Sequence, residues 1–194
     1  SNPDSLLWIT TQFAFGTFDG GQLFKELYTT FASPSNWHST GIDNVVIADL
    51  AFSPVDPNKS YIGFYDMGCW RTLDGGRGWD SCNQLEFTGN WSGLGGNVVS
   101  VVADPVRTDV AWMVSWAEEW SPGVNHSYIV QSKNSGALGS WADVSQGLVT
   151  QTLEMSGLSV DATSPITQRV LFVTVLGDVY RSVNDGASWA CVMW

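Results

Sequence analysis

The sequence has few basic side chains and no long apolar run. Eight Lys and Arg residues stand against nineteen Asp and Glu residues, which gives a formal charge of −11 at pH 7. Most of such a surface repels a nucleic-acid polyanion or an anionic lipid headgroup. No apolar run approaches the roughly 18 to 20 residues of a membrane span. We therefore expect neither a nucleic-acid partner nor a membrane partner.

The sequence also lacks the patterns that bind metals or supply nucleophiles. The two histidines, His38 and His126, are far apart, and no Cys or His pair has the spacing of a zinc site. A serine nucleophile elbow is absent, and so is a calcium loop of the Asp-x-Asp type with its terminal Glu. We expect no metal and no cofactor.

Glycine and tryptophan are abundant, with 20 and 11 residues, whereas charged residues make up only 14% of the chain. This composition is typical of many short strands joined by tight turns rather than of helices. The apolar segments are rich in β-branched and aromatic residues, as strands require. They read LLWITTQF, VVIADLAF, SYIGFY, NVVSVVA, VAWMVSW, YIVQS and RVLFVTVL.

One short pattern occurs four times along the chain. It runs Ser or Thr, any residue, Asp or Asn, any residue, Gly, two further residues and then an aromatic residue, and one copy has two additional residues before the aromatic. The first residues of the copies lie 55, 60 and 50 positions apart. We call the copies the box turns, and they comprise residues 17–24, 72–79, 132–141 and 182–189.

The box turns have the composition of hairpin corners. The Asp or Asn side chain is expected to accept hydrogen bonds from backbone N–H groups, Gly to supply a positive φ, and the aromatic ring to pack beneath the turn. A phosphate-binding loop would need the Lys-Ser/Thr of a Walker motif and a following helix, and the sequence has neither. The predicted structural residues are Asp19, Asp74, Asn134 and Asn184.

A second landmark precedes three of the box turns: an apolar strand, a turn rich in Asp, Pro, Ser or Thr, and another apolar strand. Four antiparallel strands in about 50 residues form one propeller blade. The sequence thus predicts an all-β protein, a β-propeller of about four four-stranded antiparallel blades in a partial ring or a fragment of a larger one. Such a ring leaves open blade faces, so we expect self-association or association with the remainder of a parent chain. The blades are predicted at approximately 1–33, 34–90, 91–148 and 149–194.

The box hairpin also places the cysteines. If Thr72 faces Trp79 across the turn, then Cys69 faces Cys82. The geometry permits a disulfide between them, although cross-strand disulfides are often strained and a reduced pair is the alternative. The same rule places Tyr180 opposite Cys191, which leaves Cys191 without a cysteine partner.

The box turns resemble the Asp-box, or BNR repeat, of sialidases, sortilin-type receptors and the xyloglucan-cleaving enzymes of glycoside hydrolase family 74 (GH74). The stretch GIDNVVIADLAFSPVDPNKSYIGFYDMGCWRTLDGGRGW is similar to the running pattern of GH74, and the resemblance covers nearly the whole chain at the level of repeats. It implies a propeller that acts on β-glucan or xyloglucan, or a noncatalytic scaffold that binds protein, as sortilin-type propellers do.

Carboxylates are the candidate catalytic groups, because glycoside cleavage uses one to protonate the leaving oxygen and another as base or nucleophile. In FYDMGCW, Asp66 resembles the catalytic Asp of a D-V-G segment in GH74. Asp178 of LGDVY lies near the matching point of the last blade but lacks the G-F-x-H continuation of the second catalytic segment of that family. Each could instead be a solvated loop carboxylate.

Aromatic side chains near these carboxylates are candidates for stacking on sugar rings. Trp116 shares a strand face with Trp112 and Val114, so it either lies in the core or reaches a groove together with Trp120. The predicted substrate-binding residues are Tyr65, Trp70, Trp116 and Trp120.

Three sequons, at Asn58, Asn90 and Asn125, occur at close to the chance frequency. Together with the cysteine pair and the resemblance to GH74, they favour an extracellular or secreted protein. The partner is then a polysaccharide or, in the alternative interpretation, a protein.

Overall fold

The computed structural model is almost entirely β. Within the residues that it describes, the one helix is the single turn α1, Leu85–Thr88, and no helix is long and apolar enough to cross a membrane. Four antiparallel sheets follow one another along the chain, and none of them closes on itself in the described parts. The described residues are 4–9, 14–27, 29–33, 36–39, 46–88, 96–118, 125–151 and 154–193.

The third and fourth sheets have the strand order of a propeller blade, with each strand paired to the next along the chain. In both, two long apolar strands are joined by an Asp-containing turn, as the second landmark of the sequence predicts. The third sheet comprises β10 (Asn97–Ala103), β11 (Ala111–Glu118), β12 (Asn125–Ser132) and β13 (Trp141–Asp143). The fourth comprises β14 (Met155–Val160), β15 (Leu171–Val175), β16 (Asp178–Ser182) and β17 (Ala190–Met193).

The second sheet contains the same four-strand unit and an additional hairpin. The hairpin pairs with the outer strand of the unit through Asn36 and Trp37, which face Asp80 and Trp79. Residues 29–33, which the sequence places with the first blade, thus join the second sheet. Its strands are β4 (Thr29–Ser33), β5 (Asn36–Ser39), β6 (Ile47–Phe52), β7 (Ser60–Phe64), β8 (Gly68–Thr72) and β9 (Trp79–Ser81), in the order β4-β5-β9-β8-β7-β6.

The first sheet is smaller and has three strands. Trp8 packs against Phe15 and Phe24 on one of its faces. Its last strand ends at Glu26, and β4, the outermost strand of the second sheet, begins at Thr29, so only a short connection joins the two sheets. It comprises β1 (Leu6–Ile9), β2 (Ala14–Thr17) and β3 (Lys25–Glu26).

Three of the four box turns have the hydrogen bonds expected of an Asp or Asn at their centre. Asp74 Oδ1 accepts from the backbone N–H groups of Arg77 and Gly78, at 2.9 and 3.0 Å, and from the Thr72 hydroxyl at 2.8 Å. Asp19 accepts the same three bonds in the first turn. In the last turn Asn184 accepts two of them, from the Ser182 hydroxyl and the Ser188 N–H. The turn hydrogen bonds hold the pKa of Asp74 below its usual value, with the Gly78 N–H as the largest cause.

The third box turn differs at Asn134. Its side chain makes no hydrogen bond within the described residues, although the Ser132 hydroxyl accepts from the Gly136 N–H at 2.9 Å as in the other turns. Two inserted residues separate Gly136 from Trp141, so the N–H groups that Asn134 would bind lie elsewhere. The Ser132 and Ser140 hydroxyls, 2.7 Å apart, bond to each other instead.

The register predicted from the second box hairpin is present. Arg71 faces Asp80, the Cys82 N–H donates to the Cys69 carbonyl at 2.9 Å, and Cys69 and Cys82 are joined as a buried disulfide with Cα atoms 5.0 Å apart. In the last sheet Tyr180 faces Cys191, whose thiol is free.

The apolar core consists of two clusters, one between the second and third sheets and one between the third and fourth. Tyr61 and the disulfide of the second sheet pack against Met113 and Trp141 of the third. Trp112 and Val114 of the third sheet pack against the fourth, together with Trp189. Two box tryptophans therefore lie beneath their turns as expected, but the aromatic side chains at Trp79 and Phe24 are only half-buried and exposed, respectively.

A network of charges that the sequence analysis did not anticipate joins the third and fourth sheets. Arg169 donates to both carboxylate oxygens of Asp104, each at 3.0 Å. Arg107 donates to Asp104 at 2.8 Å and makes a two-point contact with Asp185 at 2.8 and 2.7 Å. Asp185 follows Asn184 in the last box turn and has a φ of 67°, a conformation that Gly adopts at the same position of the first two box turns.

Candidate functional site

The two ends of each blade carry different connections. The box turns and the turns after β6, β10 and β14 lie at one end, because antiparallel strands alternate in direction. The opposite end carries the turns after β7, β11 and β15, together with the first residues of the inner strands β10 and β14. We call this second end the rim. It contains both candidate catalytic carboxylates, Asp66 and Asp178.

Asp66 lies at the tip of the turn between β7 and β8, and its side chain is exposed. Its φ of 72° lies in the left-handed region, which costs free energy for a residue other than Gly. The Asp66 N–H donates to Asn97 Oδ1 at 2.9 Å. Since Asn97 begins the inner strand of the next sheet, this bond fixes the Asp66 backbone against the neighbouring blade.

Tyr65 and Trp116 form a second contact between the same two sheets. Their rings meet edge to face with centroids 5.8 Å apart. The Trp116 indole N–H donates to the Met155 carbonyl at 3.0 Å, so Trp116 bridges the second, third and fourth sheets. Trp116 is half-buried, whereas Trp112 and Val114 on the same strand face are fully buried. That face belongs to the core, and only its rim end reaches the surface.

The remaining predicted residues are spread along the rim. Trp70 is half-buried in β8, and its indole N–H donates to the Met67 carbonyl at 3.2 Å, within the turn that holds Asp66. Asp178 is half-buried at the start of β16, directly after Gly177, and faces Val175. Trp120 lies outside the described residues.

The rim therefore presents an exposed carboxylate beside half-buried aromatic rings. Aromatic faces and carboxylates are the groups that bind the apolar faces and the hydroxyls of sugars. A cleavage reaction would require a second carboxylate at a suitable distance. Asp178 lies at the matching turn of the fourth sheet, two sheets further along the chain than Asp66. Among the described residues, no group of three or more His, Cys, Asp or Glu side chains could hold a metal ion.

Sequence reasoning did not identify Asn97 and Met155 as part of the rim. Asn97 acts through its side-chain oxygen and Met155 through its backbone carbonyl, and each contacts a residue more than 30 positions away. The available signal was their position as the first residues of β10 and β14. Since the inner strands begin at the rim, their first residues lie there and can contact the turn of the neighbouring sheet.

Comparison with solved structures confirms the all-β propeller fold. An ancestral GH74 enzyme is 18% identical to this chain and superposes with a TM-score of 0.54 over 88% of this chain and 20% of its own length. YCF48 from Cyanidioschyzon merolae is 20% identical, with a TM-score of 0.47 over 82% of this chain and 38% of its own. The GH74 xyloglucanase from Xanthomonas campestris is 16% identical, with a TM-score of 0.32 over 98% of this chain and 36% of its own. No protein-family model matches the chain, and no curated protein does.

Proposed function

We propose that this chain is part of an extracellular propeller that binds a β-linked glucan, such as xyloglucan, across the rim. The observation that carries the proposal is the placement of Asp66. Its carboxylate is exposed on a left-handed turn, its backbone is held by Asn97, and the Tyr65–Trp116 ring pair lies next to it. The resemblance of FYDMGCW to a catalytic segment of GH74 supports the same substrate class.

In this proposal Tyr65 and Trp70 contact sugar rings, and Asp66 contacts a hydroxyl or the glycosidic oxygen. The exposed carboxylate would take the acid or base role of a glycoside hydrolase only with a second carboxylate across the scissile bond. Asp178 is the candidate in this chain for that second role. Binding is therefore the primary proposal, and cleavage is its extension.

The experiment is a glycan array with xyloglucan and unsubstituted β-glucans. We expect retention of the wild-type protein, and a loss of about tenfold in affinity for Tyr65→Ala, equivalent to about 1.4 kcal/mol, because the ring that would stack on a sugar is removed. Phe18→Ala is the matched control, since Phe18 is an exposed aromatic residue in the first box turn rather than at the rim. Absence of retention on every glycan would reject the proposal.

A noncatalytic scaffold that binds protein is the second candidate. It is favoured by the environment of Trp116, whose indole N–H is occupied by the Met155 carbonyl and whose ring packs into the core cluster. A ring held in this way offers little free surface to a sugar. Under this alternative, Asp66 and Tyr65 would bind a peptide rather than a glycan, and the glycan array would show no retention.

A further inference from the structure

The second sheet exposes the face that its two successors bury. The inner-strand residues Val98 and Val101 of the third sheet are 0% and 2% exposed, because the second sheet packs against them. In the strand registers the matching residues of the second sheet are Ile47 and Leu50, which are 59% and 46% exposed. Met155 and Leu158 are the buried counterparts in the fourth sheet. We call Ile47, Leu50 and Trp79, the counterpart of the buried Trp141, the open face.

The glycines of the box turns also show that the second sheet is uncovered. A Cβ atom at Gly136 would lie 3.2 Å from the ring of Tyr61 in the preceding sheet, and one at Gly186 would lie 3.6 Å from Trp112. At Gly76, the corresponding residue of the second sheet, no atom of the described residues lies within 4 Å of such a Cβ. The second box turn therefore lacks the neighbouring sheet against which the third and fourth box turns pack.

Two hydrogen bonds recur at each junction between sheets. The Trp141 indole N–H donates to the Cys82 carbonyl at 2.8 Å, and that of Trp189 donates to the Val144 carbonyl at 2.7 Å. For the indole N–H of Trp79, no acceptor is found among the described residues. The carbonyl that would follow in this series is that of Val192, which lies three residues after Trp189 on the exposed strand β17.

In the second recurring bond, a side chain of the preceding sheet donates to a backbone carbonyl in the box turn of the following sheet. Arg71 donates to the Ser135 carbonyl, and Gln131 donates to the Asp185 carbonyl at 3.4 Å. The strand registers place Arg181 at the same position in the fourth sheet, where it is exposed and lies over the ring of Phe172. Phe172 itself corresponds to Tyr61 and Trp112, the aromatic residues that cover the box glycines.

We propose that the fourth sheet of a second copy of this chain covers the open face. The chain presents both halves of a junction that it forms twice internally: the open face on the second sheet and the covering residues Phe172 and Arg181 on the fourth. In a symmetric dimer, the fourth sheet of each copy would cover the open face of the other copy. The second, third and fourth sheets of the two copies would then supply six blades, within the range of about four to eight blades in known propellers. The new junction would contain Trp79 to Val192 and Arg181 to Gly75 hydrogen bonds between copies.

A disulfide trap tests the contact directly. At the junction between the second and third sheets, a Cβ at Gly63 would lie 2.9 Å from Val98 Cγ1. Thr174 of the fourth sheet corresponds to Gly63, and Ile47 of the second sheet corresponds to Val98, so these two residues should meet between copies. In a Cys191→Ser background, we expect an oxidised mixture of Ile47→Cys and Thr174→Cys chains to form a covalent dimer. A mixture of Ile47→Cys with Leu138→Cys is the control, because Leu138 is an exposed residue of the third box turn. Equal yields of dimer from the two mixtures would overturn the proposal.

Sedimentation equilibrium supplies the second measurement. We expect a wild-type dimer that strengthens with salt, because two chains of formal charge −11 repel each other. Leu50→Asp should weaken the dimer at least tenfold, whereas Leu138→Asp should leave it unchanged. A wild-type monomer at every concentration would overturn the proposal. The first sheet of the same chain is the other element that could cover the open face. If an Ile9→Cys/Ile47→Cys chain formed a crosslink within one chain and none between copies, the first sheet would be the covering element and the proposal would be wrong.

Discussion

Arg169 and Asp104 form a two-point ion pair that is almost completely buried between the third and fourth sheets, with exposures of 1% and 0%. Asp104 also accepts from the side chain and the backbone N–H of Arg107. A buried carboxylate with so many donors is satisfied only while both sheets are in place. The pair therefore couples the packing of two blades that the apolar core alone would allow to shift.

Removal of one partner of this pair should destabilise the fold strongly. Arg169→Met leaves Asp104 buried with only part of its donors, and we expect the free energy of unfolding to fall by about 3–5 kcal/mol. Arg77→Met is the control, because Arg77 is exposed in the second box turn and its guanidinium makes no hydrogen bond within the described residues, so its removal should cost at most about 1 kcal/mol. Denaturant unfolding of the two variants measures the difference. An Arg169→Met variant as stable as Arg77→Met would contradict the coupling role.

The same network predicts a loss of stability in acid. Burial alone would raise the pKa of Asp104, but the hydrogen bonds from Arg169 and Arg107 outweigh it and hold the pKa well below the ordinary value of 3.8. The pKa of Asp185 is lowered against its burial by Arg107. A carboxyl group whose folded pKa is depressed stabilises the fold above its unfolded pKa, and this contribution is lost as the pH falls toward the folded value.

We therefore expect the free energy of unfolding to decrease as the pH falls below about 4. The decrease should be smaller in Asp104→Asn, which has no carboxylate to protonate at this position. Glu86→Gln, a change of the same charge at an exposed position on α1, should keep the wild-type pH dependence. Thermal unfolding at a series of pH values tests this expectation, and identical curves for Asp104→Asn and wild type would refute it.

The two box glycines should respond differently to the same substitution. Gly136 and Gly76 have φ values of 69° and 89°, so Ala at either position costs about 1–2 kcal/mol in backbone strain. At Gly136 the new Cβ would also lie 3.2 Å from Tyr61 and from Trp141. We expect the unfolding free energy to fall further in Gly136→Ala than in Gly76→Ala at protein concentrations where the chain is monomeric. Equal losses would show that the junction between the second and third sheets yields easily.

The parts of the fold that depend on local sequence were predictable. The box turns are closed by hydrogen bonds between residues two to four positions apart, so the Asp74 and Asn184 turns follow from their own sequences. The hairpin register that places Cys69 beside Cys82 and Tyr180 opposite Cys191 follows from the same turns. Asn134 did not follow, because an insertion changes which N–H groups lie near it.

The parts that depend on how sheets pack could not be predicted from the sequence. Arg169 and Asp104 are 65 positions apart, and nothing in either local sequence indicates the other. The contact between Asn97 and Asp66 is similar, since it joins the start of one blade to a turn of the preceding blade. A carboxylate such as Asp66 could be proposed from its neighbours in the chain, but its support from the next sheet required the structure.

The backbone of Asp66 is strained. Its φ of 72° favours Gly, and the N–H bond to Asn97 does not depend on the side chain. We expect Asp66→Gly to keep or raise the free energy of unfolding, by up to about 1 kcal/mol, because relief of strain offsets the extra freedom of Gly in the unfolded chain. The same variant should lose affinity for β-glucans, because strain retained at an exposed residue is typical of functional sites.

Leu176→Gly is the matched control for this prediction. Leu176 begins the corresponding turn of the fourth sheet, has a φ of 54° and is exposed, so Gly relieves the same kind of strain there without removing a carboxylate. Both variants should be at least as stable as wild type, and only Asp66→Gly should lose retention on xyloglucan. Asp66→Asn, which keeps the shape of the side chain, should fold normally and abolish any hydrolysis of xyloglucan. If Asp66→Gly unfolds more easily than wild type while Leu176→Gly does not, the Asp66 side chain stabilises its turn, and the prediction of relieved strain is wrong.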